Sequence, residues 1–398
     1  MKINRLICVV AIIGSSIFAS YYGGNIAYAL FYLSLLTPVI AFFYTVYVYF
    51  RFKLYQIMDS YLVMKGEWTA YSFIIANEDM MTFQNIKVNF LRDKSSIEST
   101  NHIAEYSLLP NESEKLETRI RCNYRGEYYV GVESIVVTDF LYLFSITYPM
   151  VSKMKAYVLP RVVPLEQLTI APAQNDVKNP VGFSNNAEEE LDTEIRKYYP
   201  GDSPKRIHWK ASARTGELIS RKYQHIPKAE IVLFMDLMKI EAEDLEIVIT
   251  EDKIIESVLA IANYYMLRRM SSQIIYDMEN YNQVSIHTKE DFNVFYRACV
   301  KLRFLASHPI DRLVEEQLSR NEEGIFYVVV THILTIELFL AAQKAITSQN
   351  SISIIFISDD FTTNTKNLIA SMKASGIGIV QIMSKDEIAE VLSRDIAS

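Results

Sequence analysis

Arg196-Lys-Tyr-Tyr-Pro-Gly-Asp-Ser-Pro-Lys-Arg-Ile-His-Trp-Lys-Ala-Ser-Ala-Arg-Thr-Gly-Glu-Leu-Ile-Ser-Arg-Lys-Tyr223 divides the chain into two halves with different hydrophobic periods. Within it, Pro200-Gly201 predicts a turn, and Asp202 or Ser203 suits a helix cap with Pro204 in the first helical position. Gly216 suits a left-handed exit, so a helix of about three turns is predicted. On such a helix Arg206, Lys210 and Arg214 recur every four residues as a basic stripe, with Ile207 and Ala211 on a neighbouring face. A strand over 218–223 follows.

Residues 196–222 hold eight Lys or Arg against two acids, Asp202 and Glu217. With +6 here and −7 overall, the remainder carries −13. Clustered cations raise the local potential, and arginine offers a fork to carboxylate or phosphate. Two uses fit. One is an anionic partner surface; the other is an internal ion-pair network with Asp202, Glu217 and the acidic run 188–190, for which Trp209 and the small Ala and Ser residues suggest a packed junction.

On the N-terminal side, residues 54–163 read as strands. Trp68–Ile75 and Ile86–Phe90 alternate with period two, and shorter β-rich runs are divided by Gly126 and Gly131, which predicts an antiparallel β-sandwich. Residues 164–195, rich in Pro and Asn before the acidic run, read as a linker, and 196–223 as a junction. On the C-terminal side, 224–398 alternates strand and helix. Apolar runs 231–236, 273–277, 326–331, 352–357 and 378–382 are separated by helical patterns near 252–270, 290–305, 336–346 and 365–374. Continuous Val/Ile strands between amphipathic helices predict a doubly wound, mostly parallel α/β sheet.

Residues 1–53 hold two uncharged runs, Leu6–Tyr22 and Ile26–Phe50, joined by Gly23-Gly24-Asn25. Each is about long enough to cross a ~30 Å hydrocarbon layer at 1.5 Å per residue, which predicts a transmembrane hairpin. Lys2 and Arg5 precede it and Arg51 and Lys53 follow it, so the positive-inside rule places both termini in the cytoplasm. A cleaved signal peptide is the rival, and the second run behind the first favours the hairpin.

The composition agrees with several folded units. Half of the 398 residues are apolar and 22% charged, which excludes a disordered or fibrous chain. The negative balance opposes nucleic-acid binding despite Tyr198, Tyr199 and Trp209 among the cations. Cys8, Cys122 and Cys299 lie too far apart in sequence for a zinc motif or a disulfide framework and read as buried thiols.

The dividing segment resembles the signature of the domain of unknown function 58 family, Tyr-x-Pro-Gly-Asp followed by Arg-x-Ile-x-Trp-x-x-Ser-Ala-Arg-x-Gly. The residues that carry it are Tyr198, Pro200, Gly201, Asp202, Lys205 or Arg206, Ile207, Trp209, Ser212, Ala213, Arg214 and Gly216, with Lys210 on the basic stripe. Tyr124-Arg125-Gly126-Glu127-Tyr128, Asp139-Phe-Leu-Tyr-Leu-Phe144 and Tyr157-Val-Leu-Pro-Arg161 are similar to further family elements, although Leu141 and Tyr142 depart from its glycine-containing turn. The resemblance implies a bacterial membrane hairpin, a β-sandwich and a von Willebrand factor A-like α/β domain. It also implies partnership with a MoxR-type AAA+ ATPase and a transglutaminase-like membrane protein. It implies no reaction.

A metal site of the von Willebrand type needs Asp-x-Ser-x-Ser, because Mg²⁺ requires hard oxygen ligands in an octahedron. Asp236-Leu-Met-Lys-Ile240 keeps only the Asp, and Thr331 is followed by His332 where such domains read Thr-Asp. A degenerate site around Asp236 and Thr331, holding no metal, is therefore expected. His208 and Ser212 share a helix face but lack an acid partner and a nucleophile elbow. Cys299 with His308 suggests a thiol dyad, but Cys299 lies in an apolar helical stretch. No phosphate-binding Gly-x-x-x-x-Gly-Lys loop occurs. The expectation is a non-enzymatic, membrane-anchored scaffold or adaptor without a cofactor, with divalent-metal-dependent ligand binding by the α/β domain as the alternative.

Overall fold

The computed structural model describes residues 1–98, 104–149, 153–170, 188–198, 207–226, 231–320, 324–360 and 362–393. The chain forms two compact units, Met1–Arg161 with the short segment Cys299–Lys301, and Val162–Ala298 with Leu302–Ser398.

The first unit begins with helices α1 (Lys2–Tyr22) and α2 (Gly24–Arg51), antiparallel neighbours joined by Gly23 alone, whose φ of 57° makes the turn. Both are long and apolar enough to cross a membrane. Most of their side chains are uncovered, and the hydroxyls of Ser15 and Ser34 bond to each other between them at 2.7 Å. Hydroxyl pairing of this kind satisfies polar groups where water is absent.

Strands β1 (Lys53–Met58), β3 (Trp68–Ala76), β7 (Ser113–Cys122) and β5 (Ser95–Ile97) form one antiparallel sheet in the order β1-β3-β7-β5. A second, also antiparallel, runs β10 (Ser145–Pro149), β9 (Val132–Thr138), β4 (Phe83–Phe90), β6 (Ala104–Leu108). In the third, β11 (Met154–Leu159) pairs parallel with β2 (Leu62–Met64) and antiparallel with β8 (Gly126–Val130). The period-two alternation of β3 sends Tyr71, Phe73 and Ile75 into one apolar core, and β4 adds Ile86 and Val88 by the same alternation and Phe83 across a bulge at Asn85. Val48 of α2 is buried in that same core, with Tyr44 and Phe52 packed against it.

The second unit opens with β12 (Glu188–Lys197), which pairs antiparallel with β13 (Ile219–Ile226) around helix α3 (Trp209–Thr215). A strand therefore occupies the end of the stretch read from sequence as linker. Its sheet comprises β14 (Ile231–Met235), β15 (Ser272–Met278), β16 (Asn280–Ile286), β17 (Phe326–Thr331), β18 (Ser351–Ile357) and β19 (Gly378–Ile382) in the order β16-β15-β14-β17-β18-β19. All pair in parallel except β16, an antiparallel edge strand that turns back through Glu279 at φ 68°. Helices α4 (Asp244–Leu267), α5 (Lys289–Ala298), α6 (Ile310–Leu318), α7 (Ile336–Thr347), α8 (Thr363–Ala374) and α9 (Ile388–Ser393) intervene or follow. Every residue of β14 and β17 is buried, as a sheet covered on both faces requires.

The helix predicted near 290–305 stops at Ala298, because a 3₁₀ turn at Cys299–Lys301 ends it. Helix α6 and strand β16 are absent from the sequence expectation. In α6 the helical spacing of Ile310, Leu313 and Val314 runs for little more than two turns, and β16 is a mostly exposed polar edge.

Candidate functional site

In sequence order β14, β15 and β16 lead one way across the sheet, while β17, β18 and β19 lead the other, so the order reverses between β14 and β17. Open α/β sheets place ligands beyond the carboxyl ends of their strands at such a reversal. Phe234 is level with Ile275, and Met235 with Val330. Continuing these registers puts Asp236 between Asp277 and Thr331. Parallel pairing thus aligns two carboxylates and a hydroxyl from distant parts of the sequence, all three buried.

Their polar atoms are largely spent on one another and on the adjoining loops. Asp236 Oδ1 accepts from the Met238 amide at 2.9 Å, and Asp236 Oδ2 accepts from the Thr331 hydroxyl at 2.6 Å. Thr331 Oγ1 accepts from the Ile333 amide. Asp277 Oδ2 accepts from the amides of Ser307 and His308 at 3.0 and 2.9 Å and lies 3.0 Å from His308 Nδ1. The His308 ring stays 49% exposed, so Asp277 orients an imidazole whose far edge meets solvent. His332 is buried beside this row with Nδ1 3.5 Å from Asp236 Oδ2, and neither ring nitrogen makes a hydrogen bond of good geometry. Burial pushes its pKa below the usual imidazole value, outweighing the opposing pull of the Asp236 carboxylate.

The donor set does not fit a hard divalent cation. Asp236 and Thr331 bond each other, Met238 and Ile240 supply no hydroxyl, and among the described residues no three His, Cys, Asp or Glu converge to hold a metal. Cys299 is wholly buried, and burial pushes its thiol up to about 12, while His308 is engaged by Asp277.

The dividing segment departs from its expected helix. Helix α3 begins at Trp209, seven residues long, with His208 Nδ1 accepting from the Ala211 amide as its cap. A three-turn stripe through Arg206 is thus replaced by a two-turn helix carrying Lys210 and Arg214. Gly216 ends it in the left-handed conformation. Pro200, Gly201, Asp202 and Arg206 lie outside the described residues; Tyr198 and Ile207 are half-buried, and the Tyr198 amide donates to Leu218 O. Ser212 is buried, and its hydroxyl accepts from the Ile219 amide at 2.9 Å, while the His208 amide donates to Ile219 O. Both side chains of the His208–Ser212 pair thus accept backbone amides.

Those bonds fasten α3 to β13 and leave its other side uncovered. Trp209 is 66% exposed, against the packed junction expected of it, and Lys210 and Arg214 are exposed with no ion-pair partner among the described residues. Within the segment, Lys197 pairs with Glu217 at 2.6 Å. Asp277 was not legible as a site residue. Its signal, an acid at a strand end, is common, and the loop that meets it lies thirty residues away.

Residues 194–263, which span β14 and most of α4 as well as the motif, match the family model described as protein of unknown function DUF58. No curated protein matches. Among solved structures, the CARDB domain of the PF1109 protein from Pyrococcus furiosus, in complex with di-metal ions, is 14% identical. That likeness covers 27% of this chain and 91% of the other at a TM-score of 0.19. The secreted serine protease VesC from Vibrio cholerae is 11% identical over 32% of this chain and 27% of its own, at 0.20.

Proposed function

We propose that this protein is a membrane-anchored docking protein without catalytic activity of its own, held by α1 and α2 with both termini in the cytoplasm. The observation that carries the proposal is exposure on α3, where Trp209 in the first turn is 66% exposed and Lys210 and Arg214, four residues apart, share the side of the helix away from the pinning Ser212. Tryptophan and arginine dominate binding energy at protein interfaces, and a pre-fixed helix loses little entropy on binding. The cations select an acidic partner. At the sheet reversal Asp236 and Thr331 spend their polar atoms on each other and on adjoining amides, which favours docking over turnover.

The α/β unit is read as von Willebrand factor A-like on its strand order and antiparallel edge. The resemblance of the dividing segment nominates a MoxR-type AAA+ ATPase as the partner, with a transglutaminase-like membrane protein as a second candidate. In-cell crosslinking of the full-length protein, followed by mass spectrometry, tests this. Recovery of an AAA+ ATPase crosslinked near α3, lost in Trp209→Ala, supports the proposal. Capture unchanged by Trp209→Ala and Arg214→Ala moves the docking face elsewhere, and turnover of any substrate by the purified chain overturns it.

A further inference from the structure

We infer that the β-rich unit sits directly on the bilayer and inserts its nearest loop tips into the lipid interface, so that the partner of this face is the membrane itself. The inference rests on α1 and α2 spanning that membrane. The twenty-eight residues of α2 extend about 42 Å at 1.5 Å per residue, some 12 Å more than a ~30 Å hydrocarbon layer. About eight residues are surplus. The last eight, from Tyr44 to Arg51, are those that enter the β unit, since Tyr44, Val48 and Phe52 recur every four residues and pack in its core. Strand β1 starts at Lys53, so no tether separates the spanning helix from the sheets.

Two loops are fixed at the level where α1 begins. Tyr44 donates its hydroxyl to Thr82 O at 2.8 Å and accepts from the Gln84 amide. The rings of Phe140 and Phe144 meet those of Tyr44 and Phe42, each at 5.6 Å between centroids. From α1, Asn4 Nδ2 donates to Leu141 O at 2.8 Å and Arg5 Nε to Leu143 O at 2.7 Å. A third loop is tied to the first by Asn77, whose amide donates to both Met81 O and Leu109 O.

The tips of these loops are apolar and uncovered. Met80 is 92% exposed and Leu109 61%, and Met81, Phe140 and Tyr142 are also exposed. The acids among them are occupied: Asp79 pairs with Arg51, Glu78 with Lys53, Glu112 accepts from the Leu109 amide, and Asp139 accepts from the amides of Leu141, Leu143 and Phe144. A carboxylate with its donors supplied approaches lipid at lower cost than a free one. Tyr142 holds φ 56°, which costs a residue with a Cβ about 1–2 kcal/mol, and its hydroxyl bonds Asn85 Oδ1 at 2.9 Å. A tyrosine standing where glycine would be unstrained points to use of its side chain, and tyrosine is at home in the interfacial aromatic belt.

The test is depth measurement by spin-label collision on the full-length protein in phosphatidylcholine–phosphatidylglycerol vesicles. Cys8 is replaced by Ala, and the buried Cys122 and Cys299 are left in place. Labels are placed one at a time on Met80→Cys, Tyr142→Cys, Ile13→Cys in α1, and Glu67→Cys at the far end of β3. Labels at 80 and 142 should collide more with oxygen than with a water-soluble nickel chelate, as the Ile13 label does, and the Glu67 label should show the reverse. If the Ile13 label prefers oxygen while labels 80 and 142 behave like Glu67, the inference fails and the spanning helices stand. If the Ile13 label also prefers the nickel chelate, the membrane assignment fails and takes the inference with it.

Discussion

The Thr331 hydroxyl donates to Asp236 Oδ2 at 2.6 Å across two neighbouring parallel strands, joining residues 95 apart in sequence at the point where the strand order reverses. Both side chains are buried, so the bond supplies a carboxylate that water does not reach. Thr331→Val keeps the shape and removes the donor. It should lower the stability of the α/β unit by about 1–3 kcal/mol, the cost of a buried acceptor losing its partner. Chemical denaturation of the detergent-solubilised protein checks this, and an unchanged midpoint would show that the pair contributes nothing.

His332 gives this site a pH dependence. Burial holds its pKa in the folded chain below the ordinary 6.5, so between the two values the unfolded chain binds more protons than the folded one. Its contribution is therefore complete above the unfolded pKa and is lost as pH falls through 6.5 toward the depressed value. The melting temperature should drop on acidification across that window, and His332→Gln should flatten the drop. An equally steep decline in His332→Gln would assign the effect to other groups.

Within the dividing segment, Ser212 and Trp209 should respond in opposite ways. Ser212→Ala leaves the buried Ile219 amide without its acceptor and should cost about 1–3 kcal/mol. Trp209→Ala removes an exposed side chain and should change stability by no more than about 0.5 kcal/mol while weakening partner capture. Thermal melts and pull-downs on the same two variants separate the roles, and a destabilised Trp209→Ala would make that residue structural.

Gly131 is a backbone requirement of the β unit. It sits at φ 90°, and a Cβ there would run into Gln56 Oε1, which accepts from the Tyr71 hydroxyl and the Val132 amide. Gly131→Ala combines left-handed strain with displacement of that acceptor and should destabilise the unit by at least ~2 kcal/mol. Denaturation followed by tyrosine fluorescence reads this directly, and a midpoint matching the wild type would show that the loop adjusts.

The thiols should follow burial. Cys299, pushed up to about 12, and Cys122, also raised by burial, should resist iodoacetamide at pH 8 in the folded protein and react once it is denatured. Rapid native alkylation of either, read by peptide mapping, would contradict their placement.

The sequence by itself determined the classes of structure. Uncharged runs near twenty residues made α1 and α2 legible, period two gave β3 and β4, and unbroken apolar runs gave β14, β17 and β18, because each signal follows from the geometry of one element. Gly216 was legible as a helix exit for the same local reason. The start of α3 was not, because the carbonyl and amide of Ile219, rather than a proline at the first helical position, fasten its first turn. Only the tertiary structure decided that Asp236 meets Thr331 and Asp277 meets His308, since parallel pairing and loop closure bring them together over 95 and 31 residues. The exposure of Trp209 and the entry of Val48 into the β core were decided in the same way. A side chain's burial depends on which surface arrives opposite it, and no local period carries that information.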